Sequence, residues 1–363
     1  MTPRAPIASA TAWVAALSPW PTDGFGLDRM RELLAELGDP QLSFPAIHVV
    51  GTNGKSTTTR AIAATLRREG LRVGAYTSPH VAGWPERIGV DGADADFERA
   101  VERVRPAAER LGATQFEILT AAALAEFAGR EVDAAVVEAG LGGRLDATNV
   151  LESRVVVLTN VGLEHTDVLG ETREAIAREK LAVVKAGATV VLGEPEWEEL
   201  ARTHGAAAVL VEPGGNEAIA GVAASAFLGR SVEPASAKLA GRLDRRGDEL
   251  WDGAHTPEAV RWLDPHLPPL GAIVASVLAD KDVEGILEAL GRRAPVLVAT
   301  RSSNSRALSA EELALRGEPY FQHVESVPDP AAARRRAHEL AGPAGVVLVT
   351  GSLYLLADLS ADG

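Results

Sequence analysis

The stretch AIHVVGTNGKSTTTRAIAATL, residues 46–66, constrains the fold more than any other part of the sequence. Its first five residues predict a buried strand, GTNG predicts a tight turn, and the remainder has helical periodicity. Backbone N–H groups at the start of such a helix can cradle phosphate oxygens, and Lys55 adds a mobile positive charge. The spacing departs from the common G-x-x-x-x-G-K-[ST] loop, because position 49 is valine and the nearest upstream glycine is Gly51. The stretch nevertheless predicts a loop that binds a nucleoside triphosphate.

Short runs rich in valine and isoleucine alternate with helical stretches along the whole chain. The first group of predicted strands comprises AIHVV (46–50), RVGAYT (72–77), DAAVVEA (133–139), RVVVLTNV (154–161) and TVVLG (189–193). After a quieter segment, a second group comprises LWDGA (250–254), AIVASVL (272–278), PVLVAT (295–300), a weaker HVESV (323–327) and GVVLVTG (345–351). This alternation predicts an α/β fold with a doubly wound, mostly parallel sheet in residues 1–240. A smaller Rossmann-like α/β domain is predicted for residues 241–363.

Charge and composition exclude several classes of function. A net charge of −14 argues against a nucleic-acid backbone or an anionic membrane as the main partner. The absence of cysteine excludes disulfides, thiolate metal sites and a cysteine nucleophile. The first residues, MTPRAPIASATAWVAAL, lack the long apolar core of a signal peptide or membrane span, so we expect a cytoplasmic protein.

Three polar side chains lie at the ends of predicted strands in the first domain. Ser78 and His165 each come shortly after a strand, and Glu138 ends one. The carboxyl ends of parallel strands share one edge, where a hydroxyl, a carboxylate and an imidazole form a candidate Mg²⁺ site, although magnesium does not prefer histidine. Taken singly, Ser78 could be a turn residue and His165 a surface histidine in an ion pair. Glu138 is harder to explain away, because a buried carboxylate is costly without a partner.

Lysine is rare in this chain. Five lysines stand against thirty-one arginines. A chain with this bias keeps lysine where a compact point charge or a nucleophilic amine is needed, which is a weak indication until a lysine falls inside a motif.

Several blocks of the sequence resemble one known family. They are GTNGKST, TSPH followed by ERI (86–88), FEILTA (116–121), EAGLGGRLDATN (138–149), LEHTDVLG (163–170), REKLAVVK (178–185) and DGAHTPEA (252–259). Together they resemble the dihydrofolate synthase/folylpolyglutamate synthase family of the ATP-dependent Mur ligase superfamily. The resemblance runs from about residue 26 to residue 357, and GTNGK is the phosphate-loop form of that superfamily.

The resemblance implies a nucleotide and metal site in the first domain. The implied ATP contacts there are Gly51, Thr52, Asn53, Gly54, Lys55, Ser56, Thr57 and Asn216. Ser78, Glu138 and His165 would hold Mg²⁺, in agreement with the argument from strand ends. Lys180 matches a lysine that such enzymes carry as a CO₂-derived carbamate, which would help to hold a second Mg²⁺. Without the resemblance, Lys180 would be taken as a neighbour of Glu179 on a solvated helix face.

The resemblance also implies contacts from the second domain and a pterin site. Arg242 and Asp252 match residues that grip ATP, and His255 matches an interdomain contact. The implied pterin or folate contacts are Asp23, Gly24, Phe25, Thr114, Gln115, Phe116, Glu117, Leu145, Asp146 and Ala147. On composition alone, Phe25 and Phe116 would be core aromatics. Catalytic roles fall to Lys55, Lys180, His165, Asp252 and His255.

The implied activity is ATP-dependent ligation of L-glutamate to dihydropteroate, and to reduced folates, through an acyl phosphate. A monomer is expected, and the second domain is expected to close over the site because water would hydrolyse that intermediate. GRLDATN favours dihydrofolate synthase activity over polyglutamylation alone. The alternatives are a Mur-like ligase that acts on another carboxylate acceptor and a non-catalytic ATP-binding regulator.

Three departures from the family pattern bear on these expectations. Ser56 replaces a glycine of the usual phosphate loop, and Thr256 replaces an asparagine after DGAH, where a side-chain amide contact would be lost. The segment 194–240 is shorter than family members usually have, which weakens the assignment of Asn216 most.

Overall fold

The structure is a computed structural model that describes residues 9–21, 24–237, 240–342 and 345–361. The chain forms two compact units, and the divisions fall after Pro79, Gly83 and Ala237. Residues 84–237 belong with the N-terminal part, whereas the short stretch His80–Gly83 belongs with the C-terminal part. The predicted boundary at 240/241 lies three residues beyond the last of these divisions. Among the described residues, no helix combines the length and the apolar character needed to cross a bilayer.

The first unit contains an eight-stranded sheet and nine α-helices within its described residues. The strands are β1 (Ala46–Val50), β2 (Val73–Tyr76), β3 (Ile88–Val90), β4 (Ala93–Asp94), β5 (Ala134–Glu138), β6 (Ser153–Leu158), β7 (Thr189–Leu192) and β8 (Ala208–Val211). The helices are α1 (Ala10–Ala15), α2 (Asp28–Glu36), α3 (Lys55–Arg68), α4 (Phe97–Leu111), α5 (Gln115–Gly129), α6 (Thr166–Leu169), α7 (Arg173–Leu181), α8 (Glu198–Thr203) and α9 (Asn216–Leu228). Short 3₁₀ helices span Pro40–Leu42, Trp84–Arg87 and Pro195–Trp197.

Strand β1 lies in the middle of this sheet. The order is β4-β3-β2-β5-β1-β6-β7-β8, and every pair is parallel except β2 with β3 and β3 with β4. The chain therefore winds outward from β1 in both directions, which confirms the predicted doubly wound, mostly parallel sheet. The carboxyl ends of β1, β2, β5 and β6 consequently lie side by side.

Helices cover both faces of the sheet and bury two separate apolar layers. Ile47 and Val49 of β1 pack with Ile62 and Leu66 of α3 and with residues of α9. Ala46 belongs to the layer formed with α4 and α5. Because side chains alternate along a strand, His48 points to the same face of the sheet as Ala46.

The second unit is a six-stranded sheet with helices. Its elements are β9 (Asp244–Arg246), β10 (Glu249–Trp251), α10 (Pro257–Leu263), a 3₁₀ helix (Asp264–His266), β11 (Leu270–Ala275), α11 (Val283–Gly291), β12 (Val296–Ala299), α12 (Ala310–Gly317), β13 (His323–Ser326), α13 (Pro330–Ala341), β14 (Val346–Thr350) and α14 (Leu353–Ala361). The strand order is β13-β12-β11-β14-β10-β9, and only the pairing of β10 with β9 is antiparallel. This arrangement confirms the predicted Rossmann-like α/β unit.

Candidate active site

The phosphate loop joins β1 to α3 and depends on two glycines. Gly51 and Gly54 adopt φ values of +147° and +81°, which side-chain-bearing residues rarely tolerate. A Cβ atom on Gly51 would lie 1.9 Å from the hydroxyl oxygen of Thr159. The first-turn N–H groups of α3, which include those of Ser56 and Thr57, have no partner within the helix. The loop therefore has the form of an anion cradle, as its sequence predicts.

Residues at the end of β6 hold this loop in place. The Asn160 carbonyl accepts the Thr52 N–H, and the Asn160 side chain accepts the Asn53 N–H, both at 2.9 Å. The Thr159 hydroxyl donates to the Asn53 carbonyl at 2.7 Å. Neither Thr159 nor Asn160 was predicted from the sequence as a site residue. In the sequence they are two polar residues that follow the apolar run of β6. In the sheet, β6 lies beside β1, which carries the loop.

Asn216 lies next to the phosphate loop. It begins helix α9, and α9 packs against α3. A Cβ atom on Gly54 would lie 2.4 Å from the Asn216 side-chain oxygen. The position fits the ATP contact that the resemblance implies, despite the shortened segment around it. That contact stays a prediction.

Two lysine ammonium groups meet at one carbonyl oxygen of the loop. Lys55 Nζ donates to the Gly51 and Thr52 carbonyls, each at 2.9 Å. Lys180 Nζ donates to the same Gly51 carbonyl at 2.9 Å and to Glu164 Oε1 at 2.9 Å. Lys180 is only 1% exposed, so the alternative of a solvated helix face is wrong for this residue. Lys55 thus adds a cation at the loop beside the Lys180–Glu164 ion pair, which suits a phosphate ligand.

Burial and neighbouring charges shift the pKa values of the buried ion pair. Burial, together with the charge of Lys55, lowers the pKa of Lys180 to about 8, although Glu164 opposes the shift. Burial alone would raise the pKa of Glu164, but Lys180 and Lys55 lower it to about 2. Glu164 is therefore ionised at neutral pH, and Lys180 has a larger neutral fraction than an ordinary lysine.

Glu138 meets two hydroxyl-bearing residues at the carboxyl ends of neighbouring strands. Its Oε1 accepts the Ser56 hydroxyl at 2.9 Å, and its Oε2 accepts the Ser78 N–H at 3.0 Å. The residue is 2% exposed. A buried carboxylate beside a phosphate-loop hydroxyl offers the hard oxygen ligands that Mg²⁺ prefers, so these residues fit the predicted metal. Ser56 was predicted only as a phosphate contact, and the structure places it beside the metal candidates as well.

His165 follows β6 in a left-handed backbone conformation. Its φ of +46° is uncommon for a residue with a side chain, and such outliers concentrate at functional sites. A positive charge on His165 would lower the pKa of Glu164, its neighbour in the sequence. In the part of the chain that the structure describes, no three His, Asp or Glu side chains converge as a metal-binding group. The predicted site is instead a mixed set, in which only Glu138 and His165 are of those types.

Asp146 organises the loop that follows β5. Its Oδ2 accepts the N–H groups of Gly140 and Leu141 at 3.0 and 2.7 Å. Its Oδ1 accepts the Thr148 N–H at 3.0 Å and the Thr148 hydroxyl. Burial raises the pKa of Asp146, and these hydrogen bonds oppose the shift. Leu145 is half-buried and Ala147 is buried, so the predicted acceptor contacts stand on a loop of defined shape.

The TQFE block contributes one side chain to the same region. A Cβ atom on Gly140 would lie 2.5 Å from the Phe116 ring, so this ring borders the loop that Asp146 holds. Thr114 and Glu117 form a capping box at the start of α5, and Glu117 also pairs with Arg29 at 2.9 Å. Gln115 donates to a backbone carbonyl of α1 at 2.9 Å. Partners within the protein thus account for the polar residues of the block, and their substrate contacts stay predictions.

The N-terminal part of the predicted pterin site is only partly described. Asp23 lies outside the described residues. Gly24 has a φ of +96°, and Phe25 is 42% exposed, so the alternative that Phe25 is a core aromatic is wrong. Its ring stands edge-on to Trp20 with centroids 5.9 Å apart. Two neighbouring exposed aromatic rings form an apolar surface that suits a flat ligand.

Within the second unit, the predicted residues gather at the carboxyl end of β10. Asp252 is buried and accepts the N–H groups of Leu243 and Ala254, each at 2.8 Å. Burial raises the pKa of Asp252, and the charge of Arg242 opposes that shift. His255 Nδ1 lies 2.8 Å from the Gly253 carbonyl.

Thr256 has a local role where the family usually has asparagine. Its hydroxyl accepts the Ala259 N–H as the N-cap of α10, and Pro257 occupies the first helical position. Threonine is among the preferred N-cap residues, so it keeps this helix start. The expected loss of a side-chain amide contact stays a prediction.

Two family models match the chain. The Mur ligase middle domain matches residues 49–208, and the Mur ligase, glutamate ligase domain matches residues 241–353. Together they cover the phosphate loop, the strand ends and the DGAH block.

Curated relatives carry one recurrent name. The dihydrofolate synthase/folylpolyglutamate synthase of Escherichia coli is 30% identical over 98% of this chain and 96% of that protein. The alignment spans 413 positions against the 363 residues here, so this chain contains gaps relative to it. The enzyme of the same name from Bacillus subtilis is 40% identical, over 48% of this chain and 43% of that protein.

Solved structures of the same enzymes share the fold. E. coli FolC in complex with DHPP and ADP has a TM-score of 0.87 at 28% identity and covers 98% of this chain and 97% of that one. A bifunctional folylpolyglutamate synthase/dihydrofolate synthase with Mn, AMPPNP and L-glutamate bound has a TM-score of 0.83 at 28% identity, covering 100% and 99%. The chain therefore belongs to the dihydrofolate synthase/folylpolyglutamate synthase family, whose members are ATP-dependent acid–amino-acid ligases.

Proposed function

We propose that this chain joins L-glutamate to the carboxyl group of dihydropteroate, and also to that of reduced folates, at the expense of ATP. The observation that carries the proposal is that Lys55 lies on the phosphate loop, where the Ser56 hydroxyl also contacts the buried Glu138 carboxylate. A cation on a phosphate loop, next to a carboxylate that would hold Mg²⁺, suits a reaction among anions. The loop held by Asp146 follows β5, the strand next to β1, and is the candidate acceptor site.

The chemistry requires activation of the acceptor, because a carboxylate is a poor acyl donor. The acceptor carboxylate oxygen attacks the γ-phosphorus of ATP, the bond to the β,γ-bridging oxygen breaks, and ADP leaves. The amine of L-glutamate then attacks the carbonyl carbon of the acyl phosphate. The tetrahedral intermediate expels inorganic phosphate, the amine loses one proton, and an amide remains. Each cycle consumes one ATP and one glutamate.

The protein's part in this reaction is electrostatic. Negative charge accumulates on the transferring phosphoryl group while the carboxylates of the acceptor and of L-glutamate are held nearby. The first-turn N–H groups of α3 are fixed donors that stabilise this charge without reorganising, and Lys55 adds a positive charge at the loop. In the second unit, we assign Arg242 and Asp252 to ATP binding, and Asp252 and His255 to catalytic roles.

Ser78, Glu138 and His165 are the residues that would hold Mg²⁺, with Ser56 beside them. The metal, when bound, neutralises phosphate oxygens and favours transfer of the γ-phosphoryl group. Lys180 is the residue that would carry the carbamate, because its buried amine has an unusually large neutral fraction.

The charge of Glu138 should set the metal requirement. We expect Glu138→Gln, which keeps the shape of the side chain and removes its charge, to raise the Mg²⁺ concentration at half-maximal activity by about 10- to 100-fold. The measurement is the initial rate at fixed ATP over a range of free Mg²⁺. Glu126→Gln is a matched control, since Glu126 of α5 is also buried but pairs with Arg103 of α4. An unchanged Mg²⁺ dependence in Glu138→Gln would remove Glu138 from the metal site.

Product formation tests the proposed function directly. The purified protein is incubated with ATP, Mg²⁺, bicarbonate and L-glutamate, with dihydropteroate in one reaction and tetrahydrofolate in another. Mass spectrometry detects the product with one added glutamate, and phosphate release is followed in parallel. Lys55→Ala protein, purified in the same way, corrects for any contaminating ligase of the expression host.

Each outcome has a defined meaning. We expect glutamate adducts in both reactions, which identify a bifunctional enzyme. Product from dihydropteroate alone restricts the activity to dihydrofolate synthesis, and product from tetrahydrofolate alone contradicts the dihydropteroate part of the proposal. Absence of product in both overturns it, and tight ATP binding under those conditions favours the regulator or a ligase for another acceptor.

A further inference from the structure

His48 is a buried histidine that the proposed reaction has not used. It is fully buried on β1, in register with Val137 of β5 and Val156 of β6. Its Nε2 lies 2.8 Å from the Thr148 hydroxyl oxygen. Among the described residues its Nδ1 has no hydrogen-bond partner. A polar ring at the centre of an apolar sheet is costly, so its single hydrogen bond requires an explanation.

The hydrogen bonds around Thr148 define the tautomer of His48. Asp146 accepts three backbone N–H groups and the Thr148 hydroxyl, which fills the four lone-pair positions of an ionised carboxylate. Because the single hydroxyl proton of Thr148 goes to Asp146, the Thr148 oxygen must accept from His48. His48 therefore carries its proton on Nε2. The unpartnered Nδ1 is then a bare lone pair, which costs less than an unpartnered N–H.

This chain of hydrogen bonds connects two functional loops through one rigid strand. Two residues after His48, β1 ends, and the phosphate loop begins at Gly51. Asp146 joins the start of the candidate acceptor loop, at Gly140, to its end, at Thr148. His48 is thus the donor on β1 that fixes the acceptor loop relative to the phosphate loop.

We propose that His48 is a positioning residue for acceptor binding, acting through Thr148 and Asp146. The inference rests on the proposed function, because it takes the loop 140–149 as the acceptor site. The reacting carboxylate must lie in line with the γ-phosphate, and a displacement of about 1 Å costs up to about 100-fold in rate. A hydrogen bond from His48 on the central strand would limit such a displacement of the acceptor loop.

Acid–base chemistry does not account for His48. Burial, with a contribution from the charge of Lys185, lowers the pKa of His48 to about 3. The ring thus stays neutral at physiological pH and serves as a fixed donor.

The geometry of amide side chains gives a sharp test. The amide nitrogen of glutamine can take the place of Nε2, whereas that of asparagine takes the place of Nδ1. We expect His48→Gln to keep kcat/KM for dihydropteroate within about threefold of the original protein. His48→Asn and His48→Leu should raise KM for dihydropteroate about tenfold or more, with KM for ATP unchanged.

Thr148 supplies the second half of the test. Thr148→Ser keeps the hydroxyl and should behave as the original protein does. Thr148→Val removes it at equal volume and should raise KM for dihydropteroate as His48→Leu does. In the double variant with His48→Leu and Thr148→Val, the two effects on KM should not add, because both substitutions break the same series of hydrogen bonds. Ser153→Ala is the matched control, since the Ser153 hydroxyl on β6 is buried and has no partner among the described residues.

Besides an unchanged KM in His48→Leu, two results would overturn the inference. One is a rise in KM for ATP in His48→Leu that equals the rise in KM for dihydropteroate, together with a kcat/KM in His48→Gln no higher than that in His48→Asn. This is the pattern of a purely structural residue. The other is a ¹⁵N spectrum of His48 in which Nδ1 carries the proton. Thermal unfolding of each variant identifies those that fail to fold, and Thr148→Ser against Thr148→Val then carries the test. If the original protein forms no glutamate adduct, the proposed function fails, whereas an active enzyme with unchanged KM in His48→Leu refutes only the role of His48.

Discussion

Replacing Lys55 by alanine should lower the rate of glutamate-dependent phosphate release by about 10³-fold, or about 4 kcal/mol of transition-state stabilisation. The side chain is folded back onto the Gly51 and Thr52 carbonyls, 2.9 Å from each, so its ammonium group lies in the cradle itself. Loss of that charge removes one of the cations that would stabilise the transferring phosphoryl group. Initial rates at saturating ATP and acceptor measure the effect.

Two further variants separate charge from geometry in this prediction. Lys55→Arg keeps the charge but replaces a compact ammonium with a planar guanidinium, and should still lose about 100-fold in rate. Arg292→Ala removes an exposed cation paired with Glu288 in α11 and should change the rate by less than about twofold. The thermal stability of Lys55→Ala should match that of the original protein, because the two glycines define the loop conformation. Retention of more than a tenth of the activity in Lys55→Ala would contradict the assignment.

The sheets could be predicted from sequence because buried parallel strands are continuous apolar runs. The run 46–50 coincides with β1, and the other nine predicted strands each correspond to an observed one. The strands that were missed include β3, β4 and β9, which have two or three residues and leave no periodicity to detect. β8 was also missed, since its residues are only partly buried at the edge of the sheet.

The location of the site was predictable for a topological reason. Ser78 and Glu138 are sixty residues apart, yet they meet because the carboxyl ends of parallel strands share an edge. Hydrogen bonds that depend on packing were not predictable in this way. The pairing of His48 with Thr148 spans one hundred residues, and although each lies in a block singled out from the sequence, nothing in those blocks indicates that the two side chains meet. The burial of Lys180 likewise depends on which face of α7 meets the sheet.

Replacing Lys180 by alanine should abolish most of the activity, by about 10³-fold, and short carboxylates should restore part of it. A carbamate forms when the neutral amine attacks CO₂, gains a carboxylate group and releases one proton. Formate or acetate can occupy the space left by the truncated side chain and supply the missing anion. Lys55→Ala is the matched control, because its missing group is a cation that a carboxylate cannot replace.

The pKa of Lys180 would determine the pH dependence of the proposed carbamate. The amine is reactive when neutral, so carbamate formation is favoured above its pKa and lost as the pH falls below it. With a pKa of about 8, about a quarter of the amines are neutral at pH 7.5, against about 0.1% for an ordinary lysine. We therefore expect activity at low bicarbonate to fall steeply between pH 8.5 and 6.5, and to fall less at saturating bicarbonate.

The change of charge at Lys180 adds a third expectation. In the unmodified state its ammonium pairs with Glu164 at 2.9 Å. A carbamate would place two anions together, so its formation needs compensating positive charge from Lys55 and bound Mg²⁺. Mg²⁺ should consequently strengthen bicarbonate activation, and bicarbonate should lower the Mg²⁺ requirement by the same factor. Protein treated with ¹³C-bicarbonate and Mg²⁺ should show one carbamate carbon signal that Lys180→Ala lacks. An enzyme fully active in CO₂-free buffer, with no such signal, would refute the carbamate and leave Lys180 as a cationic partner of Glu164.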